Sequence, residues 1–214
     1  MKQRILLTGK DGIDLLQRIT TLDFQRIPEG KPQPGLILNP QGKILCYFEV
    51  EKKSIPDQIE VYFQDSFLEL LDQYTFGERY KIEKLPHPES TPSIDAELIR
   101  IKSRSPKPGN EFTNKGESNP LEVNLNHAIH DQKGCYPGQE VIEKIIAIGS
   151  PSKQLCLVKS LNPSSENLEL PMDLDFGKLT SFQSGYGLAV VRKTHTSPGS
   201  ILHGINHSFQ VIES

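Results

Sequence analysis

Lys133-Gly134-Cys135-Tyr136-Pro137-Gly138-Gln139-Glu140 is the stretch on which the reading of this chain turns. Two glycines and a proline within eight residues exclude a regular helix or strand, so a structured turn is expected there. The turn would hold Cys135 beside Lys133, and a neighbouring cation favours the thiolate, the reactive form of the side chain. The same position also reads as a small residue tolerated in a tight turn. Cys46, inside Leu45-Cys46-Tyr47-Phe48, and Cys156, inside Leu155-Cys156-Leu157-Val158, read differently. Buried cysteine behaves as a small hydrophobe, and both are expected to fill cores. Three cysteines without a Cys-x-x-Cys pair exclude a disulfide framework and the paired-thiolate zinc signature. His127 and His130 precede Cys135, but the spacing fits no standard zinc pattern and no metal site is expected. A nucleophile–base pair of Cys135 with His130 would depend on the fold to bring them into reach. No P-loop, dinucleotide fingerprint, Gly-x-Ser-x-Gly elbow or His-Glu-x-x-His motif occurs.

Upstream of the turn, strands and helices alternate. Arg4 to Thr8 reads as a short strand. Asp11 to Thr20 reads as a helix, with Ile13, Leu16 and Ile19 at helical spacing and Leu15 widening the apolar stripe. Gly35 to Leu38 and Ile44 to Val50 are extended runs around Asn39-Pro40-Gln41-Gly42-Lys43, whose proline and glycine predict a β-hairpin. Gln58 to Phe63 alternates as another strand. Asp65 is placed to cap a helix in which Phe67, Leu70, Leu71 and Tyr74 form one apolar face. Arg79 to Leu85 and Glu97 to Arg104 read as strands. In the second, Ile99 and Ile101 would point one way and Arg100, Lys102 and Arg104 the other. That basic stripe is either a solvated sheet face or a site for an anionic ligand tail, helped by Lys107. Ser105 to Pro120, rich in proline, glycine and asparagine, reads as an ordered surface loop.

Downstream, the apolar runs shorten. Leu155 to Val158, Leu179 to Phe182, Leu188 to Val191 and Phe209 to Ile212 are punctuated by glycine and proline, which predicts a compact β-barrel or sandwich. His203 and His207 flank Gly204 in a strand–turn region and are expected at the surface. Gly149-Ser150-Pro151 marks the expected boundary between the two halves.

The length of 214 residues allows one large domain or two small ones. Hydrophobic residues at 36% and charged residues at 24% suit a globular chain with a modest core. No apolar run approaches the roughly 20 residues of a membrane span. The opening Met1 to Lys10 holds three consecutive apolar residues, too few for a signal-peptide core, so a cytoplasmic protein without a membrane partner is expected. A formal charge of -3 and a pI near 6.1 lack the positive field of nucleic-acid binders, so nucleic acid is not an expected partner.

The octapeptide around Cys135 resembles the Lys-Gly-Cys-Tyr-x-Gly-Gln-Glu signature of YgfZ-type folate-binding proteins, at all seven specified positions. That family is related to the glycine-cleavage T-protein, an aminomethyltransferase. Further echoes follow in the family's order. Gln17 to Phe24 resembles Gln-Gly-x-x-Thr-Asn-Asp, with Thr21 and Asp23 matching and Arg18 and Leu22 departing. Leu38 to Leu45 is similar to the family's Pro-Gln-Gly-Arg/Lys hairpin, and Pro120-Leu121-Glu122 to the stretch before the signature. Gly177 to Ser181 and Leu188 to Arg192 are similar to its barrel strands. Glu143-Lys144 stands where an arginine usually follows the signature.

The resemblance implies an α+β protein: a mixed α/β, folate-binding domain over 1–150, then a small C-terminal β-barrel over 151–214. It implies tetrahydrofolate as cofactor, a role in assembling or repairing iron–sulfur clusters, and iron–sulfur client or assembly proteins as partners. Cys135 would be the functional thiol and Lys133 would hold its ionisation, while Gly134 and Gly138 permit the turn. Tyr136 would pack the loop and Gln139 and Glu140 would hydrogen-bond across it, all three counted with the cofactor-binding residues. Asp23 and Glu122 would reach the pterin, since a carboxylate accepts two bonds from an amino-pyrimidinone edge. Arg100, Lys102 and Arg104 would attract the glutamate tail. The transferase relative carries acidic residues after the hairpin for iminium-forming chemistry. Cys46 and Tyr47 align there, with reference pKa values of about 8.5 and 10, and neither is a carboxylate. An accessory protein is therefore expected rather than an active aminomethyltransferase. A folate-dependent one-carbon transferase and an interaction module without folate are the alternatives.

Overall fold

Alternating side chains along β1 (Gln3–Thr8), β3 (Ile44–Lys52) and β4 (Gln58–Phe63) turn Ile5, Leu7, Phe48, Val61 and Phe63 onto one sheet face. The structure is a computed structural model that describes residues 3–64, 66–86, 94–162 and 168–214. With β2 (Gln33–Leu38) and β5 (Lys81–Leu85), these strands form an antiparallel sheet in the order β2-β3-β4-β1-β5. Two amphipathic helices, α1 (Lys10–Ile19) and α2 (Phe67–Tyr74), cover the apolar face with Leu15, Leu16, Phe67 and Leu71. The Phe67 ring packs 5.2 Å from Phe48 and 4.9 Å from Phe63, centroid to centroid. Burying side chains of this size contributes roughly 2 kcal/mol each. Asp65, the expected cap of α2, lies outside the described residues.

The predicted hairpin is present, with Ile37 opposite Cys46. Asn39 builds its turn: the side-chain oxygen accepts the Gln41 and Lys43 N–H groups at 3.0 and 2.9 Å. The other sheet face is polar. There the Arg4 guanidinium donates twice to one Glu60 oxygen, at 3.0 and 2.6 Å, and Lys53 bridges Glu51 and Glu60 at 2.8 and 3.1 Å.

The chain separates into two compact units that are not contiguous in sequence. The first takes Met1–Glu89, Asn114–Glu117 and Asn126–Glu143, and the second takes Ser90–Thr113, Ser118–Leu125 and Lys144–Ser214. The last passage from the first unit to the second falls within α4 (Gln139–Ile148), counting helices in chain order with α3 at Ile94–Lys102.

In the second unit β6 (Lys153–Ser160), β7 (Met172–Leu174), β8 (Gly177–Gln183), β9 (Tyr186–Arg192), β10 (Ile201–Gly204) and β11 (His207–Glu213) run in the order β10-β11-β6-β9-β8-β7. The sheet curls until its end strands meet. The Asp175 N–H donates to the His203 carbonyl at 2.8 Å and the His203 N–H to the Asp175 carboxylate at 3.1 Å. Val158, Leu179, Val191, Leu202 and Phe209 fill the interior. A mixed α/β domain followed by a nearly closed β-barrel is the α+β architecture expected.

Two expectations are corrected. Glu97 to Arg104 is not a strand, since it falls mostly within helix α3. Ile99 and Ile101, read as sharing a face, part company: Ile101 is fully buried beside Leu155, Leu157 and Leu188, while Ile99 is 67% exposed. A four-residue alternation, Ile99 to Lys102, is too short to fix the period, and the i,i+3 pairing of Glu97 with Arg100 belongs to the helix. Ser105 to Pro120 is not simply a surface loop either, because Glu111, Phe112 and Asn119 are buried.

Candidate functional site

Three stretches of the first unit that stood out in the sequence pack together: 17–24, the hairpin turn 39–42, and 126–140. Thr21 is the joint of the first and third. Its backbone N–H donates to the Leu36 carbonyl at 2.9 Å, while its hydroxyl accepts the Leu36 N–H at 3.0 Å and donates to the Ala128 carbonyl at 2.6 Å. The Thr21 carbonyl accepts the His130 N–H at 3.0 Å. The Asp23 N–H donates to His130 Nδ1 at 2.9 Å, which fixes the neutral ring with its proton on Nε2.

Lys133 closes the joint. Its ammonium is buried and donates to the Gln17 carbonyl and, at 2.5 Å, to the Thr20 carbonyl. These are carbonyls at the C-terminus of α1, the end of a helix where a cation is favoured. The Nζ also stands 5.5 Å from the centre of the Tyr136 ring. Among the described residues the partners of Lys133 include no thiol, so its structural work is to cap α1. Burial pulls its pKa down to about 8, against the opposing pull of Asp23. Burial, reinforced by Glu143 and Asp131, pushes the Tyr136 hydroxyl up to about 12.

Gly138 joins the loop to the hairpin. Its φ of +82° lies in the left-handed region, and a Cβ there would stand 2.5 Å from the Asn39 carbonyl oxygen. Gly134 is different, having open space where its Cβ would be and no positive φ. Of the two glycines expected to permit the turn, Gly138 is the one the backbone requires. Between these fixed points Cys135 is exposed. The Gln139 N–H donates back across the turn to the Tyr136 carbonyl at 3.2 Å, and the side chains of Gln139 and Glu140 lie at the start of α4. There the Gln139 side-chain amide donates to Glu143 at 2.7 Å and Glu140 is exposed.

The expected ligand residues fall into both units. Asp23, in the first, is buried, and one oxygen accepts the Gln25 N–H at 3.1 Å and the Gln17 amide at 3.3 Å. Among the described residues its other oxygen meets the Arg26 guanidinium, which is itself largely exposed, at 3.2 Å. Glu122, in the second unit, closes a capping box on the 3-10 turn at Pro120–Val123. It accepts the Asn119 N–H at 3.3 Å and the Ser152 hydroxyl at 2.8 Å. Arg100, Lys102 and Arg104 do not form the expected stripe. Arg100 pairs with Glu97 and Glu111 at 2.7 and 2.9 Å, Arg104 with Glu213 at 2.7 Å, and Lys102 lies 4.6 Å above the Tyr186 ring.

Leu22, which departs from the family's asparagine, is fully buried. It packs so close to Gly35 that a Cβ there would stand 2.6 Å from its Cδ1. Arg18, the other departure, pairs at the surface with Glu78. No group of metal-ligating side chains occurs among the described residues, and His130 Nδ1 is committed to Asp23. Cys46 and Cys156 are buried, and burial pushes the Cys156 thiol up to about 11.

Tyr47 lies on the polar sheet face and its hydroxyl donates to Glu49 at 3.1 Å. Burial and the Glu49 charge raise its pKa far above the usual tyrosine value. Glu49 escaped the sequence reading although its signal was present: two residues on in a strand is the same face.

No protein-family model matches the chain. It is 32% identical over 115 residues to an Arabidopsis thaliana protein described as a "putative transferase, chloroplastic". That match takes in 50% of this chain, and the chain spans about a quarter (26%) of the relative's length. The crystal structure of the glycine cleavage system aminomethyltransferase T from Bartonella henselae superposes with a TM-score of 0.81 at 12% identity, covering 100% of this chain and 83% of that one. The chain thus carries the fold of the aminomethyltransferase T-protein, and half of it is similar in sequence to the Arabidopsis protein.

Proposed function

We propose that this chain is a tetrahydrofolate-binding accessory protein for the assembly or repair of iron–sulfur clusters in client enzymes, with Cys135 as its functional thiol. The observation that carries the reading is the folded state of the octapeptide. Each neighbour of Cys135 that has a structural job is anchored, whereas the thiol itself is exposed. Lys133 caps α1, Tyr136 packs beneath the loop and Gly138 abuts the hairpin. A rigid crest presenting a thiol suits contact with another molecule more than it suits packing.

Asp23 is the carboxylate that fits folate. Its second oxygen is held by a largely exposed surface arginine, and an amino-pyrimidinone edge can take that place without dismantling the turn. Glu122 is committed to its capping box, and Arg100, Lys102 and Arg104 have partners of their own, so the pterin and the tail are not assigned to them. When bound, tetrahydrofolate supplies one-carbon or reducing chemistry, and Asp23 would orient it.

Cys135→Ala is expected to abolish maturation of a cluster enzyme while changing stability by less than about 0.5 kcal/mol, as for a surface substitution away from structural contacts. Full maturation by that variant overturns the thiol role. Anaerobic calorimetry with tetrahydrofolate tests the ligand separately: saturable heat that Asp23→Asn weakens supports it, and no heat at several temperatures removes it.

One observation favours a second reading, a folate-dependent aminomethyl transferase. Glu49 lies on the sheet face after the hairpin, bonded to Tyr47, and supplies a carboxylate beside the positions where the resemblance implies acidic residues in the transferase. Folate-dependent turnover of an aminomethyl donor, lost in Glu49→Gln, would establish it.

A further inference from the structure

His130 is a titratable side chain of the joint whose hydrogen bond depends on its being neutral. Nδ1 accepts the Asp23 N–H at 2.9 Å, and a proton placed on Nδ1 would set two donors against each other. Other ties between the 126–136 segment and the rest of the joint do not pass through this ring nitrogen. Among the described residues they include the Thr21 hydroxyl on Ala128, the His130 N–H on the Thr21 carbonyl, and the Lys133 amine on Gln17 and Thr20. We infer that His130 is a pH-sensitive latch: protonation releases the Asp23 amide and loosens the segment that carries Lys133 and Cys135. The inference does not depend on the identity of the ligand or on the role of the thiol.

The charges around the ring set the direction. From the turn after α1 it faces Asp23 and Arg26, and from its own segment Asp131 and Lys133. Burial lowers the pKa of His130; Lys133 and Arg26 act in the same sense, and Asp23 and Asp131 oppose them. A histidine harder to protonate folded than unfolded keeps the latch closed at neutral pH. Its contribution is complete above about pH 6.5, the unfolded value, and is lost as pH falls toward the lower folded value. Protonation adds a third positive charge to those of Lys133 and Arg26, which disfavours reclosure until the proton leaves.

The test is amide hydrogen exchange of the full chain at pH 7, 6 and 5, expressed as protection factors to remove the intrinsic pH dependence. The Asp23 amide and residues 128–136 are expected to lose about tenfold in protection between pH 7 and 5, the change that one hydrogen bond of ordinary strength produces. His130→Asn places an amide oxygen near the position of Nδ1 and accepts at every pH, so its protection is expected to stay level. Constant protection in the natural chain, or the same loss in His130→Asn, overturns the latch. Should that variant not fold, NMR titration of the natural chain decides. The Asp23 amide resonance must follow the His130 ring with the same midpoint, and two unrelated midpoints overturn the proposal.

Discussion

The loops at 133–138 and 105–120 are alike in composition and opposite in what they do with their polar groups. In the first, the charged residue turns inward to cap a helix and the thiol is left outside. In the second, one of the charged residues, Glu111, is the centre of a closed knot. The Glu111 side chain has no exposed surface and accepts bonds from Arg100 at 2.9 Å, Thr180 at 2.9 Å, Ser181 at 2.6 Å and the Lys107 N–H at 2.9 Å. Arg100 in turn donates to Ser181 at 2.6 Å and to the Ser105 carbonyl at 2.7 Å. The difference shows that a basic cluster met in a sequence is as ready to satisfy a buried carboxylate as to bind an anion. Burying Glu111 without Arg100 would leave an uncompensated charge.

That contrast breaks most directly at its strongest point. Glu111→Ala strips the largely buried Arg100 of one carboxylate and is expected to cost about 4 kcal/mol in urea unfolding, most of the stability of a small unit. A loss below about 1 kcal/mol would mean that Glu97 alone satisfies the arginine and that the knot is ornamental. The next test compares two glycines of one loop. Gly138→Ala meets both a positive φ and the Asn39 carbonyl and is expected to cost roughly 3 kcal/mol, whereas Gly134→Ala enters open space and should stay within about 0.5 kcal/mol. Equal effects from both would show that the loop does not seat on the hairpin.

The smallest effect sharpens the role of Lys133. Lys133→Met removes a donor from the end of α1 at an expected cost of about 1–2 kcal/mol near pH 7. The pH dependence has a definite sign. Between the folded value of about 8 and the unfolded value of 10.5, the unfolded chain still holds the proton that the folded chain has released. Stability therefore rises with pH across that window in the natural chain, because the cost of the buried charge disappears, and the variant lacks that rise. Urea melts of both proteins at pH 7.5 and 10 measure it; parallel curves would place the ammonium in a solvated site.

Much of the architecture was legible because strong local patterns and tertiary packing agreed. The apolar stripe of Leu15, Leu16 and Ile19, the alternation of Ile59, Val61 and Phe63, and the Asn39–Gly42 turn all fold as their periods dictate. The reading failed at α3, where Ile99-Arg100-Ile101-Lys102 alternates over too few residues to separate the two periods. There the packing of Ile101 on Leu155 and Leu188, far along the chain, decided the outcome. The acidic Asp95 and Glu97 in its first turn and basic Arg100 and Lys102 in its last were a helical signal that went unweighed.

For the candidate site, the octapeptide by itself determined that a turn would hold Cys135, since backbone freedom at glycine and its loss at proline are local properties. What surrounds that turn was decided by tertiary structure alone. Gln17, Thr20 and Thr21 lie more than a hundred positions from Ala128, His130 and Lys133 in the sequence. No periodicity in one stretch carries information about the carbonyls of the other. Whether Lys133 faces a thiol or a helix end, and whether Arg100 faces solvent or Glu111, depends on which groups folding deprives of water, and each buried charge takes the partner that replaces its solvent.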